Sequence, residues 1–298
     1  MAVLLGGCSS SDPELLPNRR ERFLERGIQQ FERGDFRSAA ASFNKFLSYE
    51  PNVWGYHLRG RSQAELGLAE LALADYQRAL DIDPGNASVH RARGWLYFTR
   101  GDFEEAADDY WAAFEHEPGE PESLSFGAWS ALGGGNFTRA LELARTAQRR
   151  INWTDDDERD GNDAAYNAIV AYVSLQSLGY PDRARAYVRL ALKRTDPNVW
   201  PYDALLYYDE QISREELLGR TLSSGAETEA RTYLAIDDFL HGRLESAQAE
   251  LDWIAANGNK IYYEYYIALA LLDGRLLIPP EAPSALFHES GAPSEPGE

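Results

Sequence analysis

The sequence predicts an all-α fold: a right-handed α-solenoid of helix-turn-helix repeats, followed by a divergent helical section and a capping helix. Three observations lead there. Segments beginning RGIQQF, RGRSQA and ARGWLY superimpose without gaps at a spacing of 33 or 34 residues. Each unit carries a small residue (Gly27, Gly60, Gly94, Ala128) and a glycine seven places later (Gly34, Gly67, Gly101, Gly135). An alanine follows five beyond that glycine, at Ala39, Ala72, Ala106 and Ala140. A period of this size marks supersecondary units that cannot bury their apolar faces alone and stack to do so.

Each position has a physical reason. The small residue sits where the first helix of a unit crosses the second, so that the backbones can approach. The later glycine ends the first helix in a left-handed cap that costs glycine little. GDF or GNF then restarts the chain, with Asp or Asn placed to cap the second helix. The alanine and the aromatic at Phe43, Tyr76 and Tyr110 share one face of that helix and pack into the groove of a neighbour. Pro51, Pro84 and Pro118 stop it; the fourth unit has Asn152 in that place. This pattern resembles the tetratricopeptide repeat (TPR) family over four units, residues 20–154. Beyond an acidic linker, 155–164, a degenerate fifth unit is expected, with Tyr172 where the small residue belongs. Two short helices follow in WPYDALLYYDEQISREELLGRTLS. Ala235, Gly242 and Ala247 then recover the period, and KIYYEYYIALALLDG closes the helical section 165–274 as a cap over the last exposed face. The proline-rich end, 275–298, reads as disordered.

Composition narrows the function classes. The chain has 298 residues, 44% hydrophobic, with 48 acidic and 29 basic residues and a formal net charge of −19. Such a surface repels nucleic acid and anionic lipid, so neither is an expected partner. One cysteine precludes an intramolecular disulfide and a cysteine metal site, and the five histidines show no metal-ligand spacing. No cofactor is implied. TDDDERDGND (154–163) imitates the opening of an EF-hand at Asp156, Glu158, Asp160 and Gly161. Asn167 stands where the bidentate Glu belongs and Asp163 where an apolar residue belongs, so an acidic, helix-capping linker is the better reading. No Gly-rich phosphate loop or Ser-His-Asp signature occurs, and the chain reads as a non-enzyme.

The first helices of stacked units line a groove. The register places Trp54, His57 and Arg61 of the second unit there, Arg91, Trp95 and Phe98 of the third, and Phe126 and Trp129 of the fourth. Aromatics mixed with arginines suit a peptide: pockets for side chains, guanidinium groups for carboxylates. The alternative for each ring is packing between repeats. Some TPR domains clamp a C-terminal carboxylate with Lys and Asn in their first unit; Leu24 and Ile28 occupy those positions here.

Leu5-Gly6-Gly7-Cys8 resembles a bacterial lipobox, an aliphatic residue and two small ones ahead of the cysteine to be acylated, and SSSDPELLPNRR behind it has a tether's composition. Only seven residues precede Cys8, so a basic n-region and an apolar h-region are missing from the pattern. With Cys8 as lipidation site, 1–19 is a truncated signal and tether. Lipobox, TPR stack and divergent helices containing ISREELLGR and YYEYYIALALL resemble the NlpI-type lipoproteins. That resemblance implies a scaffold anchored in the bacterial envelope by lipid alone, facing the periplasm from the outer membrane, holding protein or peptide partners and compatible with a homodimer. The competing expectation is a fixed subunit of an envelope assembly: secretion, pilus or outer-membrane insertion machinery.

Overall fold

A computed structural model describes residues 15–150, 158–274 and 276, which fall into two compact units, Met1–Leu96 and Tyr97–Glu298. Cys8, Asp156 and the end beyond residue 276 lie outside the described residues. Among the described residues every regular element is a helix.

The first unit contains α1 (Leu15–Glu32) and α2 (Phe36–Leu47), then α3 (Val53–Glu65) and α4 (Ala69–Ile82), and the first part of α5 (Ala87–Arg100). The pairs α1–α2 and α3–α4 are antiparallel hairpins, and α2 packs on α3. A Cβ at Gly60 would stand 2.8 Å from the Tyr76 ring, and one at Gly27 would meet Phe43 in the same way. The small residue therefore exists to seat the aromatic of its own second helix. Gly34 (φ +76°) and Gly67 (φ +73°) turn the hairpins in the left-handed region, which L side chains enter at a cost. The capping reading holds at Asp35, which accepts from Ser38 N at 3.2 Å, and at Asn136, which accepts from Arg139 N at 3.2 Å. It fails at Asp102, which makes no side-chain cap bond and pairs instead with Arg100 at 3.0 Å.

One feature of this unit has no counterpart in the repeat reading. Asp75 is buried on α4 and bound by Arg59 of α3 through two bonds, 2.6 and 2.7 Å, with Arg78 at 2.8 Å. Arg59 also donates to Asn44 of α2 at 2.7 Å, so one guanidinium ties three helices. A carboxylate removed from water persists only when paired this fully.

The second unit continues with α6 (Phe103–His116), α7 (Glu122–Gly133) and α8 (Phe137–Arg150), which repeat the hairpin geometry. Next come α9 (Glu158–Ser177) and α10 (Pro181–Leu192). Helix α9 begins inside the stretch read as linker, so Glu158, Asp160 and Gly161 belong to a helix and not to an ion-binding loop. Tyr172, in place of the small residue, packs on Tyr208 with ring centroids 4.3 Å apart. The two short helices are α11 (Tyr202–Tyr208) and α12 (Arg214–Gly219), the latter opened by a Ser213/Glu216 capping box. Arg214 ties α12 to the helices after it, α13 (Ser224–Leu240) and α14 (Leu244–Asn257), by pairing with Asp238 and with Glu250 at 2.8 Å.

The final helix, α15 (Tyr263–Leu272), packs on α13 and α14 and also on α7. It is thus more than an end cap: it returns to the first helix of a repeat more than 100 residues earlier in the chain.

Replacing Gly60 with Val should destabilise the first unit by about 1–3 kcal/mol, because the added carbons must displace Tyr76 from a filled seat. Thermal unfolding followed by circular dichroism measures it; an unchanged melting temperature would mean that the crossing is not tight.

Candidate interaction site

The eight groove residues separate into two environments. In the first unit the face of α3 is open. Trp54 is 58% exposed and lies over the His57 ring, centroids 6.1 Å apart and 28° between planes. His57, one turn on, is only 6% exposed and meets Tyr76 edge-on at 6.1 Å. Its Nδ1 has no hydrogen-bond partner among the described residues. Arg61, the next turn, is exposed and holds its guanidinium 4.8 Å from the centre of the Phe31 ring on α1. Arg91 of α5 is half-buried and donates to Ser88 Oγ at 3.3 Å, and Trp95 is half-buried one turn beyond. Spacing of three and four residues puts these groups on one side of each helix.

The electrostatics follow from the geometry. Burial, and then the charges of Arg61 and Arg91, push the His57 pKa down to about 4. The imidazole is therefore neutral near pH 7 and leaves the two guanidinium groups as the cations of this face. An exposed indole offers apolar stacking, and the arginines offer charge-assisted bonds to carboxylates.

In the second unit Phe98 and Trp129 are buried, which corrects their assignment to a groove, and Phe126 is half-buried against the chain's own Tyr263. Phe98 is fully buried and packs on Tyr263 with centroids 4.3 Å apart. Phe126 stacks on the same tyrosine at 5.0 Å with 7° between planes. Trp129 is 4% exposed and stacks on Tyr233 of α13 at 6.3 Å. Tyr263 also hydrogen-bonds Tyr110. The face that the repeats present is thus filled by α13 and α15 of the same chain. The sequence does carry a sign of this. YEYYIALALL carries apolar residues on every side, more than a terminal cap with one polar face would need.

Beneath this filling lies a carboxylate pair that the repeat pattern does not predict. Glu229 accepts from Trp200 Nε1 at 2.6 Å and from Tyr166 Oη at 2.9 Å. Glu264 accepts from Tyr233 Oη at 2.9 Å, and the same hydroxyl stands 3.4 Å from Glu229. Both acids are buried. Burial, and then the charge of Glu229, push the Glu264 pKa up to about 8; burial raises Glu229 against the pull of Trp200, Tyr166 and Tyr233. Every donor is used in packing, so the cluster builds a core and presents no reacting atom to solvent. Among the described residues no group of His, Cys, Asp and Glu could hold a metal ion.

The family model described as Tetratricopeptide repeat matches residues 24–87, 57–121 and 91–156. Mouse (Mus musculus) sperm-associated antigen 1 is 29% identical over 112 residues, covering 38% of this chain and 12% of that protein. Its human (Homo sapiens) counterpart is 25% identical over 103 residues, covering 35% and 11%. The chain thus spans about 12% of the length of these curated relatives. Among solved structures, a tetratricopeptide repeat protein from Parabacteroides merdae superimposes with a TM-score of 0.57 at 18% identity, covering 85% of this chain and 98% of that one. A MamA protein superimposes with a TM-score of 0.50 at 17% identity, covering 60% and 93%. At these identities the structural likeness defines the fold.

Residues 24–156, just under half of the chain, match the tetratricopeptide repeat model, and the chain is an all-α solenoid of TPR-like hairpins with divergent C-terminal helices.

The buried acid pair makes the second unit sensitive to alkali. A carboxyl whose folded pKa is raised contributes stability that is full below its unfolded value and is lost as pH rises through the folded one. Stability should therefore fall from the ordinary carboxylate range up to about pH 8. Glu264→Gln should flatten that dependence and raise the melting temperature at pH 8; an unaltered pH profile in the variant would contradict the assignment.

Proposed function

We propose that the chain is an adaptor whose first unit holds a segment of a partner protein against α3 and α5. Trp54 carries this reading: a large indole left 58% exposed over a buried, neutral imidazole. A partner side chain laid on Trp54 would bury apolar area worth about 25 cal/mol per Å². A carboxylate two turns along would reach Arg61 and Arg91, which the neutral His57 leaves as the only cations of the group. The recognised element is thus an apolar residue with an acidic residue near it. Phe98, Phe126 and Trp129 play no part in it, since the chain's own tyrosines cover them.

The resemblance of Leu5-Gly6-Gly7-Cys8 to a lipobox supports an acylated Cys8 and a place in a bacterial envelope, as in the NlpI-type lipoproteins. Two or more acyl chains anchor a protein stably where one does not. Among the described residues no helix is long and apolar enough to cross a membrane, which is compatible with a lipid anchor as the sole attachment. Exchangeable partners fit the small open face better than a fixed place in an envelope assembly, which buries a large apolar interface.

One affinity capture from solubilised envelopes of the native host tests both parts. The full chain should return specific partners. Trp54→Ala, Arg61→Ala and Arg91→Ala together should lose them about tenfold or more with helicity unchanged. Cys8→Ser should move the chain out of the membrane fraction without altering the partners. Retained partners in the triple variant would overturn the groove reading, and a single partner at constant stoichiometry would favour the fixed subunit.

A further inference from the structure

Helices α8 and α10 carry a net positive charge in an acidic chain. Residues 137–150 and 181–194 hold nine Lys or Arg and two Asp or Glu, in a chain where acids outnumber bases 48 to 29. Both helices pack on α9, and the Tyr187 hydroxyl of α10 donates to Gln148 of α8, so the two lie side by side. Burial raises the pKa of that hydroxyl, and the charges of Arg145 and Arg149 act against the rise, which places both arginines close to it.

Part of this charge is answered within the unit. Arg139 pairs with Glu104 at 2.9 Å and Asp108 at 2.6 Å, Arg185 with Glu210 at 2.6 Å, and Arg189 with Asp209 at 2.7 Å. Four other cations are not answered in this way. Among the described residues no carboxylate pairs with Arg145, Arg149, Arg183 or Lys193. Arg149 donates only to Thr146 Oγ1 at 2.9 Å, and Arg183 lies over the Tyr180 ring at 5.2 Å. Leu190 is 46% exposed and Tyr180 39%. An open depression of about 540 Å³ runs along one side of α10, lined by Asp182, Arg185, Ala186, Arg189, Leu190 and Lys193.

We propose that the α8–α10 face is a second docking surface, distinct from the Trp54 face, and that it takes an acidic polypeptide segment carrying an apolar side chain. Charge complementarity selects the occupant. Lys193 lines the depression with the exposed Leu190, Arg183 lies over the half-exposed Tyr180, and Arg145 and Arg149 stand near Tyr187, so carboxylates on these cations and one apolar residue on Leu190 satisfy both. A helix of 14 residues is about 21 Å long, which a short extended segment can cross. A membrane plane or a nucleic-acid rod would extend past this patch onto the acidic remainder of the chain and be repelled there. A second copy of the chain would bring its own net charge of −19 against the same charge.

The test is fluorescence anisotropy of a labelled synthetic peptide of about ten residues, Asp and Glu with a central Leu, long enough at about 3.3 Å per residue to cross both helices, titrated with the full chain. Binding should weaken several-fold between about 50 and 300 mM salt, as screening requires. Arg145→Glu, Arg149→Glu and Lys193→Glu together should weaken it about tenfold or more. Arg145→Lys with Arg149→Lys, which keeps the charges, should retain it, and so should the triple variant of the Trp54 face. Absence of binding at low salt, equal binding by the charge-reversed chain, or loss in the Trp54-face variant would overturn the proposal. So would preferential binding to anionic phospholipid vesicles or duplex DNA, or sedimentation showing that the face joins two copies of the chain.

Discussion

A hairpin of two helices that cross at glycine presents a first-helix face with nothing on it, and the rest of this structure depends on what fills that face. In the second unit the filler is Tyr263. It sits between Phe98 and Phe126 and bonds to Tyr110 from 153 residues away in sequence. Tyr233 does the same for Trp129. Aromatic side chains bury the largest areas available, and paired rings add to that gain. Two tyrosines therefore convert what would be a binding groove into a core. In the first unit the corresponding face of α3 keeps Trp54 exposed, and it is there that a partner's side chain has something to gain.

The buried acids belong to the same solution. Drawing α13 and α15 onto the repeats takes Glu229 and Glu264 out of water. They are tolerated because Trp200, Tyr166 and Tyr233 donate to them and because the raised pKa of Glu264 lets one carboxyl keep its proton. The opposite device operates in the first unit, where Asp75 stays buried under two arginines. Sharing protons and pairing ions are thus two means of burying an acid, and the second unit uses both, since its buried Asp238 is held by Arg214 and Arg243.

The hairpins were legible in the sequence because their determinants are local. A glycine at the crossing, a second glycine at φ near +75° and an alanine five later are each fixed by neighbours within one unit. That is why Gly27 and Gly60 could be placed at the helix crossings, and why Trp54, His57 and Arg61 fall on one side of α3; Phe43 and Tyr76, expected in a neighbour's groove, instead seat on the glycine of their own unit. The fate of the other groove rings was not legible. Whether Phe98, Phe126 and Trp129 face solvent is decided by helices that return from the far end of the chain, and a repeat register carries no term for that return. The all-round apolar pattern of YEYYIALALL was the available clue. Asp75 was equally hidden: on the helix pattern it is one more acid, and only the fold brings Arg59 to it.

The central claim is that the chain covers its own repeat face in the second unit and leaves it open at Trp54. Hydroxyl-radical footprinting of the full chain, read by mass spectrometry, tests this directly. The account predicts rapid oxidation of Trp54 and strong protection of Trp129 and Phe98 in the native state, with protection lost on unfolding. Oxidation of Trp129 and Phe98 at a rate comparable to Trp54 in the folded chain would contradict it.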